Sequence, residues 1–167
     1  VLIHEAIGED WFGNGLTSKR FVQELNDLGE VDEILVRINS PGGAVFDGVA
    51  IYNALKEHRA RIDVLVEGLA ASIASVIAMA GDRIRMGEGA LMMIHNPWTL
   101  AIGDADDLRK TAETLDKHTD VLVDIYARRT GRPRDEIAAM LDAETWMTGP
   151  EAVEKGFADE SATEDES

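Results

Sequence analysis

Apolar residues recur along this chain at two spacings, and the alternation between them divides it into elements. EILVRI at residues 33–38 is a short β-branched run closed by Asn39-Ser40-Pro41-Gly42-Gly43, which predicts a strand feeding a tight loop. Val45, Val49, Tyr52 and Leu55 then return at helical spacing with polar residues between them. IDVLVEG predicts a second strand over 62–66, and the small apolar run GLAASIASVIAMAG at 68–81 predicts a buried helix starting at about Ala71. DRIRM and ALMMIH predict two short strands around Gly87 and Gly89. From about Asp104 to Arg129, the residues Leu108, Ala112, Leu115, Leu122 and Tyr126 fall near a 3.5-residue period. That predicts one long helix, stopped by Gly131 to Pro133. DEIAAML and GPEAVEKG predict two shorter helices, the second with Pro150 in its first turn.

Strands alternating with helices through short linkers indicate an α/β domain. No internal repeat or linker divides it, so residues 1–159 are expected to form a single domain. The acidic stretch from Glu160 to Ser167 is expected to be a disordered tail.

Composition narrows the function classes. A chain of 167 residues that is 45% hydrophobic can bury a substantial core. Its net charge of -16 argues against nucleic acid, whose phosphates it would repel. Glu67 and Asp82 fence the longest apolar run well short of the ~18 residues a membrane span needs, so no membrane partner is expected. From Val1 onward no basic-then-apolar leader is read, so no secretion signal is expected, and the absence of cysteine fits a reducing cytoplasm.

The candidate chemistry lies in three separated segments. Ser72 falls in the first turn of the predicted buried helix, where backbone N–H groups lack partners and small neighbours leave room for a substrate. A helix N-cap or a tolerated small core residue explains the same serine. Gly42-Gly43 can form a simple turn or aim N–H groups at an anion. His95 closes a strand just before Asn96-Pro97, as a base or as a half-buried polar residue. DAETW at 142–146, read as extended, puts Asp142 and Glu144 on one side, where either can orient a histidine or remain a solvated charge.

Taken together, INSPGG at 38–43, GLAAS at 68–72, MIHNP at 93–97 and TGPEAVEKGFAD at 148–159 resemble the proteolytic subunit of the Clp protease, in order and interval. The resemblance spans about Glu33 to Asp159. WFGNGLTSKRFVQELNDLG, SPGGAVFDGVAIYNAL, AGDRIRM and AETWMT are similar to the phage branch of that family, the Clp-related head maturation proteases. The resemblance implies a ClpP/crotonase-like fold of repeated β-β-α units with a long protruding helix. It implies a serine endopeptidase with Ser72 as nucleophile, His95 as general base, and the backbone N–H groups of Gly43 and Ile73 as oxyanion hole. Where the housekeeping family carries its triad aspartate this chain carries Glu144, with Asp142 in reserve as third member; Ser75 receives no role.

The implied partners are a polypeptide substrate and further copies of the chain in a homo-oligomeric ring, stacked through the long helix. Phage scaffold, portal or capsid proteins are the implied natural substrates, in host cytoplasm or procapsid. No metal or organic cofactor is implied. Three other readings stand beside this one. The first is a housekeeping subunit serving an AAA+ unfoldase, against which stands the lack of a recognisable docking segment at the N-terminus. The second is a crotonase-like enzyme on acyl-coenzyme A, which shares the fold but needs neither serine nor histidine here. The third is a catalytically silent ring subunit, suggested by Glu144.

Overall fold

In the computed structural model, which describes residues 1–162, the β-branched runs build a mostly parallel sheet. Its strands are β1 (Leu2–Ile3), β2 (Glu33–Ser40), β3 (Arg61–Ala71), β4 (Arg83–Met86), β5 (Leu91–Ile94), β6 (Thr145–Thr148) and β7 (Glu160–Ser161). The helices are α1 (Ser18–Asp27), α2 (Val45–Glu57), α3 (Ile73–Ala78), α4 (Ala105–Thr130), α5 (Arg134–Asp142) and α6 (Gly149–Lys155). Strands β1, β2, β3, β4 and β7 lie side by side in that order, all parallel. β3 serves two neighbours: residues 63–66 pair with β4 and residues 69–71 with β5. β6 runs antiparallel to β5.

Strict alternation makes β2 a sheet element: Ile34, Val36, Ile38 and Ser40 are buried while the residues between them are not. β3 continues well past residue 66, to Ala71, so the GLAA that reads as a helix start is instead strand. Ala70 and Ala71 pair with Met92 and Met93, and small side chains suit a strand covered on both faces. The helix that follows, α3, is wholly buried. It lies close against α2, where a Cβ on Gly48 would stand 2.0 Å from Ile73 Cγ1.

The long helix has the predicted extent, and its apolar stripe divides between core and surface. Asp104 caps it, Asp106 and Asp107 occupy its first turn, Arg128 and Arg129 its last, and Gly131 ends it at φ 72°. Leu122 and Tyr126 are buried with Val123 and Ile125, Leu115 is half-buried, and Leu108 and Ala112 are exposed. Only the C-terminal half of α4 therefore belongs to the core. α6 starts with a full capping box between Thr148 and Glu151, an arrangement worth about 1 kcal/mol. Glu160 and Ser161, expected to belong to a loose tail, instead form β7 against Arg85 and Met86. The tail beyond Ala162 lies outside the described residues. No element is predicted before Glu33, yet α1 forms there, with Phe21 and Leu25 buried one turn apart and Thr17 capping its N-terminus. No helix among the described residues is long and apolar enough to cross a membrane.

Candidate active site

The sheet topology brings the three separated segments to one edge. β3 and β5 run parallel and end together, so Ser72, just after β3, and His95, just after β5, leave neighbouring strands at the same level. The Ser72 N–H donates to the Met93 carbonyl at 2.9 Å and locks that level. In the β5–β6 register Ile94 pairs with Thr145. One step further along an antiparallel ladder, His95 faces Glu144.

Ser72 sits on a sharp strand-to-helix turn rather than inside a helix. Its backbone, at φ 55° and ψ −129°, is a conformation L-residues seldom adopt, and holding it there costs about 1–3 kcal/mol. The turn thrusts the hydroxyl out of the core toward the imidazole, with Ser72 Oγ 2.8 Å from His95 Nε2. A serine displayed on a strained strand–helix turn is the geometry that nucleophile elbows share. Beyond the ring, His95 Nδ1 lies 3.8 Å from Glu144 Oε1. That is long for a direct hydrogen bond.

The carboxylates do not lie on an extended segment as expected. α5 runs through Asp142, and Glu144 takes the left-handed conformation just past the helix, at φ 51°. Glycine is the usual occupant there, so Glu144 carries backbone strain that a glycine would not. Its side chain is 58% exposed against 19% for His95. Asp142 turns elsewhere: its Oδ1 accepts from Asn96 Nδ2 at 2.7 Å, which tethers the residue after the histidine to the end of α5.

The glycine loop lies on the other side of Ser72. Ile7 grips it from both sides, its N–H donating to the Gly42 carbonyl and its carbonyl accepting from Ala44, each at 2.8 Å. A Cβ on Gly43 would stand 2.0 Å from the Ile7 carbonyl oxygen, and one on Gly42 would stand 2.8 Å from Ser72 Cβ. Glycines are thus required for the loop to lie against the serine, at φ 93° and 148°. The close approach comes from this loop; Gly68 instead faces the Asn39 side chain. Among the described residues, the N–H groups of Gly43 and Ile73 donate to no protein acceptor. Ile73 opens α3, so no intrahelical carbonyl is available to it.

A groove of about 460 Å³ holds Ser72 and His95 and is lined by Pro41, Gly42, Gly43 and Val45, by Pro97 to Leu100 and by Met93. Trp98, of open role in the sequence, lines it. A second hollow of about 530 Å³ continues from Gly43, Val45 and Trp98 to Phe46, Leu115 and His118. Among the described residues no group of three His, Asp or Glu side chains is arranged to hold a metal ion.

The family model described as Clp protease matches residues 16–165. The chain belongs to the Clp protease family. It is 37% identical over 164 residues to an ATP-dependent Clp protease proteolytic subunit 1 from Protochlamydia amoebophila, a match covering 95% of this chain and 78% of that one. It is 34% identical over 154 residues to an ATP-dependent Clp protease proteolytic subunit from Bacteroides fragilis, covering 91% and 73%. The corresponding subunit from Deinococcus radiodurans is 35% identical over 138 residues, covering 81% and 68%. The mixed α/β sheet architecture agrees with the fold that the resemblance implies.

Of the residues singled out from sequence, Ser72, His95, Glu144, Gly43 and Ile73 converge, while Asp142 stands one contact removed. Two buried polar residues lie outside that set: Ser75 bonds to the Ser72 carbonyl and to the Tyr126 hydroxyl. Helical spacing hints at Ser75, three residues after Ser72; nothing local hints at Tyr126, 51 positions away.

Proposed function

We propose that this chain is a serine peptide hydrolase of the Clp type, with Ser72 as nucleophile, His95 as general base and Glu144 orienting the imidazole. The observation that carries the reading is the 2.8 Å contact between Ser72 Oγ and His95 Nε2, on a strained turn beside two unspent N–H groups. With its proton on Nδ1, toward Glu144, the imidazole presents a lone pair at Nε2 to the serine O–H. Attack on a peptide carbonyl moves that proton to His95, and the N–H groups of Gly43 and Ile73 receive the negative oxygen. His95 then protonates the leaving amine, and water repeats the sequence on the acyl enzyme. An extended peptide fits the groove between Pro41–Val45 and Pro97–Leu100, where pairing through its backbone gives broad sequence tolerance.

A fluorophosphonate probe tests this directly: the reading requires covalent modification at Ser72, lost in Ser72→Ala, and an inert wild type overturns it.

Two settings for this chemistry remain distinct. The resemblance of WFGNGLTSKRFVQELNDLG and AETWMT to head maturation proteases supports cleavage of phage scaffold or capsid-associated protein. The relatives named above are ATP-dependent Clp proteolytic subunits, which supports partnership with an unfoldase instead. Cleavage of an unfolded capsid precursor without nucleotide, alongside a gene position beside portal and capsid genes, selects the first. Degradation of a folded protein only with an unfoldase and ATP selects the second. In both, the exposed N-terminal half of α4 suits contact between copies in stacked rings, a state that sedimentation measures.

A further inference from the structure

Ser75 and Tyr126 stand outside the three-residue constellation, yet both are buried, Ser75 bonded to the Ser72 carbonyl and Tyr126 bonded to Ser75. Ser75 Oγ donates to the Ser72 carbonyl at 2.6 Å and lies 2.7 Å from the Tyr126 hydroxyl. Because the one Ser75 hydroxyl proton is spent on that carbonyl, Tyr126 is the donor in the second bond. Burial pushes the Tyr126 phenol well above its ordinary value, so this donor stays protonated. The Ser75 N–H reaches the same carbonyl at 2.9 Å. Two donors therefore pin the Ser72 oxygen, and a third, on α4, pins one of them.

That oxygen shares a planar peptide unit with the Ile73 N–H. In a trans peptide the C=O and N–H bonds point in opposite directions, so fixing the oxygen aims the hydrogen. Donation to the oxygen also polarises the amide and strengthens its N–H as a donor. Ser72 needs such fixing, since its backbone lies outside the conformations that would hold the plane unaided. Resting on the hydrolase reading above, we propose that Ser75 and Tyr126 are positioning residues that aim the Ile73 N–H at the oxyanion, Tyr126 acting through Ser75.

The test compares wild type, Ser75→Ala, Tyr126→Phe and the double variant, each as the assembled protein. Removing an oxyanion donor outright lowers kcat about 10²–10³-fold, so loosening its aim should cost about tenfold in Ser75→Ala and about threefold in Tyr126→Phe. KM should move less than twofold. Affinity for a peptide boronate, whose tetrahedral adduct fills the oxyanion hole, should fall by the same factors as kcat. The double variant should match Ser75→Ala, because one residue works through the other. Tyr126→Phe keeps the ring and its packing, so it remains informative where Ser75→Ala folds poorly. A fluorophosphonate-labelled wild type whose variants keep kcat and boronate affinity, or whose losses multiply in the double variant, overturns the inference and leaves the hydrolase reading intact. An unlabelled wild type overturns both.

Discussion

The two ends of the imidazole are held by different kinds of structure. On one end, His95 meets a serine fixed by the ends of two paired strands, with the fully buried α3 behind it. On the other, it faces a carboxylate on a single turn past α5, more than half exposed and 3.8 Å away. Sheet pairing sets the level at which the first contact forms; the second depends on one left-handed residue and a flexible side chain for which water competes. Exposed ion pairs contribute about 0–1 kcal/mol, so the carboxylate side is the softer half of the site. A serine–histidine contact can thus be preset by the core while the carboxylate beside it stays adjustable.

The rigid half should fail completely when broken. Ser72→Ala should lower peptide kcat by about 10⁴-fold or more and abolish fluorophosphonate labelling, with the thermal midpoint unchanged or raised because alanine there leaves the bonds of the backbone intact. Residual turnover within tenfold of wild type would assign the chemistry elsewhere. Gly43→Ala strikes the same half through its backbone. The new methyl would meet the Ile7 carbonyl oxygen, so the loop and Ile7 must move apart and the Gly43 N–H loses its setting. The expected cost is about 2–4 kcal/mol in denaturant unfolding with kcat lowered about 10²-fold. A variant with native stability and activity would show that the Ile7 clamp does not shape the oxyanion site.

How much of this was legible in sequence follows the same division. The β-branched run EILVRI and the turn formers after it locate β2 and the glycine loop, because both signals are local. GLAA misleads: alanines paired against Met92 and Met93 look like helix formers until the partner strand is known. The Ser72 turn was invisible for that reason, since it exists only where β3 stops and α3 starts. Glu144 was placed near the histidine by motif alone. Its left-handed backbone carries no sequence mark, because the usual glycine is missing. Tyr126 was legible as a helix-stripe residue and not as a polar partner, since its bond to Ser75 joins elements distant in sequence.

Substitution at Glu144 measures how soft the second half is. A carboxylate bonded tightly to its histidine is worth about 10⁴ in kcat, whereas this longer, exposed contact predicts a loss of about tenfold in Glu144→Gln. Glu144→Gly should lose a similar amount of activity while stability holds or rises by up to about 1 kcal/mol, because glycine relieves the left-handed strain. Activity falling while thermal stability climbs would mark Glu144 as strained for function. A loss near 10⁴-fold in Glu144→Gln would instead mean that the carboxylate closes on the ring in the working enzyme.

The smallest effect is expected at Asp142, and it is the one that separates the two carboxylates. Asp142 holds Asn96 rather than His95, so it acts on the imidazole only through the path of the chain between them. Asp142→Asn keeps the size and leaves an oxygen able to accept from Asn96, so kcat should drop no more than about threefold. Asn96→Ala removes the same tether from its other end and should cost about as much, with little added in the double variant. If Asp142→Asn proves more damaging than Glu144→Gln, the aspartate is the group that orients His95, and it must give up Asn96 to do so.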